Sequence, residues 1–94
     1  MWRVEEGIGI STPKIDAKYN PDLIKTGLNI AYYRKWRNLT QEDLAAKTNL
    51  SRTTIANIEN PDKFHGMSLS TLFRIADALD TPLRKLFDFR DDDD

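Results

Sequence analysis

The sequence predicts an all-α protein in which five short helices surround one core. Three observations lead to this prediction. From about Pro21 onward, apolar residues recur at the spacing of one helix face. Residues that favour helix caps, mainly Ser, Thr, Asn and Asp, stand between these apolar groups. The chain has 94 residues and no Cys, so we expect a single domain without disulfide bonds.

Composition divides the chain into three segments. Residues 1–22 form a predicted irregular N-terminal arm, because two glycines and two prolines interrupt every possible helix there. A short strand at 8–10 that pairs with a partner chain is an alternative for part of this arm. Residues 23–89 form the helical domain. Residues 90–94 form an acidic tail, which we expect to be solvated.

The first two helices are placed by their caps and by the turn between them. Asn20 and Asp22 are candidate caps of helix 1, which should end near residues 37–38. Asn at its end suits a left-handed backbone conformation. Thr40 is the predicted cap of helix 2, which covers residues 41–48.

The third helix follows an abrupt turn. Asn49 stands where the chain must reverse, and Asn is among the few residues that tolerate a positive φ. Ser51 is the predicted cap of helix 3, which covers about 52–59. On this helix Ile55 and Ile58 point to the core, so the remaining residues of the first turns face outward.

The last two helices follow a loop at 61–66. Ser68 or Ser70 caps helix 4. Its predicted inward face consists of Leu69, Leu72, Ile75, Ala76 and Leu79. Thr81 is the predicted cap of helix 5, with Pro82 in the first turn, where the missing N–H of proline is tolerated.

The net charge of −1 conceals an asymmetry between the body of the chain and its end. The span from Lys25 to Lys85 holds ten basic and six acidic residues, whereas the last four residues are all Asp. The body is therefore mildly basic, which permits a nucleic-acid partner.

Enzymes and membrane proteins are not expected from this composition. The chain has one His, no Cys, no Gly-rich phosphate loop and no clustered carboxylates, so we predict no catalytic residue, no metal site and no cofactor. No apolar run approaches the ~18 residues of a membrane span, and the N-terminus lacks a signal-peptide pattern. A cytoplasmic location is expected.

The stretch TQEDLAAKTNLSRTTIANIEN, residues 40–60, has the spacing of two helices that cross at a sharp turn. With the flanking segments IAYYRKWRNL and SLSTLFRIADALDTPLRKLF, it resembles the phage-repressor-like helix-turn-helix family, also called Cro/C1-type or XRE. The resemblance covers residues 24–87 and implies a lambda-repressor-like five-helix bundle. That family usually has Gly where Asn38, Asn49 and Asp80 stand here, and Asn and Asp are the tolerable substitutes.

The resemblance implies that helix 3 enters the major groove of double-stranded DNA. Arg52, Thr53 and Asn57 are the predicted base-reading residues, because Arg pairs with guanine, Asn with adenine, and Thr with a thymine methyl group. Helix N-termini also bind phosphates. The predicted phosphate-binding residues are Thr40, Gln41, Ser51, Thr54, Asn60 and Lys63. The alternative is that these residues are ordinary caps and surface side chains.

Two further residues have an implied structural role. By resemblance, Arg34 and Glu59 form a buried ion pair that ties helix 1 to the end of helix 3. The planar fork of Arg suits a carboxylate. We assign the aromatic residues to core packing and interfaces rather than to a stacking platform for single strands. They are Trp2, Tyr32, Tyr33, Trp36 and Phe64.

The predicted function is a sequence-specific transcriptional regulator, in particular a repressor. The alternative is an antitoxin or adaptor in which the same fold binds a protein partner, a hypothesis that the arm and tail motivate. The exposed face of helix 3 favours DNA, because a purely protein-binding version has no need for Arg52, Thr53 and Asn57 together.

The resemblance also implies a homodimer on a palindromic operator, with two recognition helices ~34 Å apart. The end of helix 5 is the first choice for the dimer surface, because so short a helix cannot bury both of its terminal Phe residues. The candidate surfaces are Leu83, Leu86, Phe87 and Phe89; the loop residues Phe64 and Met67; and Ile8 and Ile10 of the arm.

Overall fold

Five α-helices make up the part of the chain that the computed structural model describes, residues 20–89. They are α1 (Pro21–Trp36), α2 (Gln41–Thr48), α3 (Arg52–Glu59), α4 (Leu69–Ala78) and α5 (Leu83–Leu86). These residues contain no strand, and the prediction of an all-α, five-helix fold is confirmed. The candidate strand at 8–10 and the tail at 90–94 lie outside the described residues. The division into arm, domain and tail stays a prediction.

Polar side chains cap the first four helices. In each case the side-chain oxygen of the cap accepts a hydrogen bond from a backbone N–H of the first turn, which would otherwise have no partner in the helix. The caps are Asn20, Thr40, Ser51 and Ser68. Local cap chemistry therefore sets where α1 to α4 begin.

The prediction that Thr81 caps the fifth helix is wrong. Pro82 occupies the cap position of α5, which has no side-chain cap hydrogen bond. The Thr81 hydroxyl instead donates to the carbonyl oxygen of Leu79 at 3.0 Å. Because Thr81 is buried, its hydroxyl needs a partner inside the protein, and the end of α4 supplies it.

Three non-glycine residues with positive φ end the helices that precede α2, α3 and α5. Their φ values are 60° at Asn38, 61° at Asn49 and 52° at Asp80. After each of them, the next residue donates its N–H to the carbonyl oxygen five residues earlier, as Leu39 does to Arg34 at 3.0 Å. The predicted left-handed conformation is confirmed at these corners.

The core lies between the helices: α2 packs against α3 and α4, α1 packs against α3, and α5 contacts both α1 and α4. Its completely buried apolar side chains are Ile30, Leu44, Ile55, Ile75, Leu79 and Leu86. The predicted inward face of α4 is correct except at Leu69, which is 62% exposed. Leu69 lies about 70° around the helix from the centre of the face that the other four residues form, so it points past the core.

The aromatic residues are divided between the core and the surface. Phe64 is only 3% exposed, so its assignment to a dimer surface is wrong and it belongs to the core. Trp36, by contrast, is 67% exposed, and its ring stacks on Tyr32 with 6.5 Å between centroids. Trp36 therefore lies outside the core, and its assignment to an interface stays a prediction. Tyr33 is partly buried against the core, and Trp2 lies outside the described residues.

The backbones of α1 and α3 are in contact at Gly27. A Cβ atom on this residue would overlap the carbonyl oxygen of Ile58 and would lie 3.2 Å from the ring of Phe64. Only glycine fits a contact of this kind without moving one of the two helices. The contact fixes the position of α3 on α1.

Side-chain donors join the ends of helices to their neighbours. The Arg37 guanidinium donates to the carbonyl oxygens of Leu79 and Asp80 at 2.8 and 2.6 Å, which connects the end of α1 to the end of α4. Arg74 on α4 donates to the carbonyl oxygen of Thr48 at 2.7 Å. These bonds satisfy carbonyl groups that a helix end leaves unpaired.

Candidate nucleic-acid interface

A sharp corner at Asn49 and Leu50 joins α2 to α3. Ala45 is 6% exposed and its small side chain lets the two helices approach closely. Leu44 and Ile55 are completely buried beneath the corner. This arrangement holds the outer face of α3 at the surface beside the N-terminus of α2.

The outward face of α3 carries the predicted base-reading residues. Arg52, Thr53 and Asn57 are exposed, as are Ser51 and Thr54. The Ser51 hydroxyl oxygen accepts the Thr54 N–H at 3.0 Å and lies 2.9 Å from the Thr54 hydroxyl oxygen. The first two turns of α3 thus present a cation, hydroxyls and an amide, a set that can donate to and accept from base edges and phosphates.

The loop after α3 lies beside this face. Thr54, Asn57 and Lys63 line one shallow groove of about 210 Å³ between α3 and the loop. Asn60 shapes the loop, because its side-chain oxygen accepts the Asp62 N–H at 2.9 Å and its carbonyl oxygen accepts the Lys63 N–H at 2.9 Å. The structure therefore brings three predicted DNA-binding side chains together.

The N-terminus of α2 has a reciprocal capping arrangement. The Asp43 N–H donates to the Thr40 hydroxyl, and the Thr40 N–H donates to the Asp43 carboxylate, both at 2.9 Å. Hydrogen bonds to the Asp43 carboxylate from the Thr40 N–H and from the Thr40 side chain hold the pKa of the Asp43 carboxyl below its ordinary value. The stabilisation that Asp43 provides is therefore present at neutral pH and is lost as the pH falls from the ordinary carboxyl pKa through this lowered pKa.

Arg34, Glu59 and Gln41 form a network between α1, α3 and α2. Arg34 Nε lies 2.7 Å from Glu59 Oε2, and the two side chains are 9% and 5% exposed. Arg34 Nη2 and Gln41 Nε2 both donate to Glu59 Oε1 at 3.0 Å. The ion pair is thus a buried, two-pronged contact, and it also holds a residue predicted to bind phosphate.

Sequence reasoning missed two partners of the candidate site. Glu42 on α2 lies 3.5 Å from Arg52, in an ion pair whose side chains are 72% and 58% exposed. The contact between Gln41 and Glu59 was also missed. The only signal in the sequence for the first is that a cation at a helix N-terminus opposes the helix dipole and favours an acidic neighbour.

Residues 20–89 offer neither a metal site nor a membrane-spanning helix. This part of the chain contains no group of three or more His, Cys, Asp or Glu side chains arranged to hold a metal ion. Its helices are also too short or too polar to cross a membrane.

The five-helix fold and the sharp corner between α2 and α3 are those of a helix-turn-helix protein. The profile of the helix-turn-helix family HTH_3 matches residues 30–86, and the chain belongs to this family of DNA-binding transcriptional regulators. MJ0272 of Methanocaldococcus jannaschii, an uncharacterised HTH-type transcriptional regulator, is 41% identical over 64 residues, which cover 68% of this chain and 94% of that protein.

Solved structures show the same arrangement of helices. The restriction-modification controller protein C.AhdI from Aeromonas hydrophila has a TM-score of 0.66 and 33% identity, covering 71% of this chain and 98% of that one. SinR, the master regulator for biofilm formation, was crystallised in complex with DNA. It has a TM-score of 0.62 and 25% identity, covering 67% of this chain and 98% of that one.

Proposed function

We propose that this helix-turn-helix regulator represses transcription by placing α3 in the major groove of double-stranded DNA. The observation that carries the proposal is the outer face of α3, where Arg52, Thr53 and Asn57 are all exposed while Ile55 and Ile58 are buried. The polar outer face of such a helix presents donors and acceptors to base edges, while its buried inner face fixes the helix to the core. The crystal structure of SinR in complex with DNA supports DNA as the partner of this fold.

Phosphate contacts on both sides of α3 would fix its position in the groove. On one side are Thr40 and Gln41 at the N-terminus of α2, the end of a helix that favours an anion. On the other side Thr54 and Lys63 line the groove between α3 and the loop. Ser51 stands at the N-terminus of α3 and Asn60 at its C-terminus. Contacts to phosphate orient a protein on DNA without reading its sequence.

The same proposal gives the protein no catalytic activity and places it in the cytoplasm, where its DNA partner would be. A role as an antitoxin or adaptor is the less favoured alternative. It would leave the exposed Arg52, Thr53 and Asn57 without a common purpose, whereas DNA binding uses all three.

Binding should weaken steeply with salt. We expect roughly 4–6 phosphate contacts per protomer, so that the logarithm of the affinity falls by ~0.9 per contacted phosphate for each unit of the logarithm of salt concentration. Fluorescence anisotropy with a duplex selected from a random double-stranded pool would measure this slope. An affinity that does not change between low and moderate salt would exclude the proposed function.

Arg52→Ala and Gln41→Ala should have different effects on specificity. Loss of Arg52 should weaken binding to the selected duplex by about 1–3 kcal/mol and relax the preference at one base pair. Loss of Gln41 should weaken binding to selected and scrambled duplexes by a similar factor, because phosphates are the same in both. Parallel titrations of the two variants on both duplexes test the assignment, which fails if the two variants behave alike.

We further propose that the protein binds a palindromic operator as a homodimer, through the surface at the end of α5. Phe87 there is 46% exposed and lines, with Phe89 and Leu23, a groove of about 340 Å³. Leu86 is completely buried and cannot contribute, and the candidate residues Ile8 and Ile10 lie outside the described residues. One recognition helix covers only part of a helical turn, so a second copy would extend the contact with DNA.

Phe87→Asp should therefore reduce dimerisation, because a carboxylate would be buried in the interface. Sedimentation equilibrium with and without the selected duplex would show two protomers per duplex for the wild type and one for the variant. Phe73→Asp, at a Phe of α4 that is 53% exposed, is the matched control and should leave two. A 1:1 wild-type complex on a site without symmetry would rule out the dimer.

A further inference from the structure

The contact between Gln41 and Glu59 joins the buried ion pair to the candidate phosphate site. Glu59 Oε2 accepts from Arg34 Nε at 2.7 Å. Glu59 Oε1 accepts from Arg34 Nη2 and from Gln41 Nε2, each at 3.0 Å. Arg34 gives each carboxylate oxygen one donor, and each oxygen can accept a second. Gln41 fills one of these remaining places, so the ion pair also holds a side chain of α2.

The carboxylate determines which way the Gln41 amide faces. An ionised carboxylate only accepts hydrogen bonds, so the amide nitrogen, not the amide oxygen, must point toward Glu59. An amide nitrogen carries two hydrogens. The bond to Glu59 uses one of them, and the other stays available for an acceptor outside the protein, such as a phosphate oxygen.

Charge and burial also suit this arrangement. A bare carboxylate next to a phosphate would repel it, but the Arg34 guanidinium lies against both oxygens of Glu59 and balances its charge. Glu59 is 5% exposed and is held by two bonds from α1, so it is a fixed point of attachment. Gln41 is partly buried at the first position of α2.

We infer that Glu59 is a positioning residue for DNA binding, which holds the Gln41 amide with one N–H aimed at a backbone phosphate of the duplex. This role rests on the proposed function and adds to the structural role of the ion pair. Fixing the amide before DNA arrives avoids the loss of side-chain freedom that a mobile Gln would suffer on binding. The affinity for DNA thus depends on Glu59 through Gln41.

A double-mutant cycle tests this dependence. Glu59→Gln should weaken binding to the selected duplex about five-fold in the wild-type background, the size of one hydrogen bond. In the Gln41→Ala background the same change should have less than about a two-fold effect, since nothing remains to be positioned. Circular dichroism at low temperature would verify that all four proteins are folded before binding is measured.

Thr53→Ala is the matched control, because Thr53 lies on the exposed face of α3, on the opposite side from its buried residues. Its effect and that of Glu59→Gln should multiply. If the effects of Glu59→Gln and Gln41→Ala also multiply, Glu59 acts on the fold alone and the positioning role is overturned. If the wild-type protein binds no duplex, the proposed function itself is overturned.

A measurement without DNA decides the matter if Glu59→Gln does not fold. In the free wild-type protein, the two side-chain amide hydrogens of Gln41 should give well-separated NMR signals, and one of them should exchange slowly with water. Gln41 signals like those of a solvated glutamine would overturn the positioning role while leaving the proposed function intact.

Discussion

Arg34→Met should lower the free energy of unfolding by about 3–5 kcal/mol, because it leaves the buried Glu59 carboxylate without its cation. It also removes the donor that lies 2.6 Å from the Leu39 carbonyl oxygen. Urea denaturation followed by circular dichroism would measure the loss. The ion pair connects α1 to the last residue of α3, so the loss should appear in the cooperative unfolding of the whole domain.

Glu42→Gln is the control for this prediction. It breaks the ion pair with Arg52, whose side chains are largely exposed, and should change stability by less than about 1 kcal/mol. A double variant, Arg34→Met with Glu59→Leu, should be more stable than Arg34→Met alone, since no buried charge remains. A midpoint for Arg34→Met close to that of the wild type would mean that water reaches Glu59.

Gly27→Ala should destabilise the protein by about 2 kcal/mol or more, although alanine is the better helix former. The added methyl group would overlap the carbonyl oxygen of Ile58, a backbone atom that cannot move away on its own. Separating α1 from α3 costs about 3 kcal/mol or more, the upper end for overpacked cores, because the overlapping atom belongs to the backbone. This exceeds the gain of about 1 kcal/mol in helix propensity. Thermal and urea denaturation would measure the net effect.

Ala46→Gly provides the comparison, because Ala46 is exposed on α2 and reports the propensity difference without a packing contact. It should destabilise by about 1 kcal/mol. Glycine would then be favoured over alanine at position 27 and disfavoured at position 46. A Gly27→Ala protein as stable as the wild type would show that α1 and α3 can separate at little cost.

The features that the sequence predicted correctly are local ones. Helix caps such as Thr40 and Ser51 act on backbone groups within three residues, and the left-handed corners at Asn38 and Asn49 depend on the conformational freedom of single residues. Helical periodicity then identified most of the core. These signals are visible in a short window, so they do not require knowledge of how the helices pack.

The errors and omissions concern contacts between distant residues. Thr81 has the chemistry of a cap, but its burial against the end of α4 decides where its hydroxyl goes. Leu69 fits the apolar spacing, yet the neighbouring helices do not reach it. The bond between Gln41 and Glu59 depends on how α2 and α3 pack against each other, which no local pattern contains.

The loop after α3 is anchored at both ends, and this affects how relatives of this protein could diverge. Asn60 fixes its start through a bond to the Asp62 N–H, and the buried Phe64, whose N–H donates to the Asn60 carbonyl oxygen at 3.0 Å, fixes its end. Residues 61–63 between these anchors are exposed. Selection can therefore replace Lys63 and its neighbours, and so change the proposed phosphate contact of the loop, without any compensating change in the core.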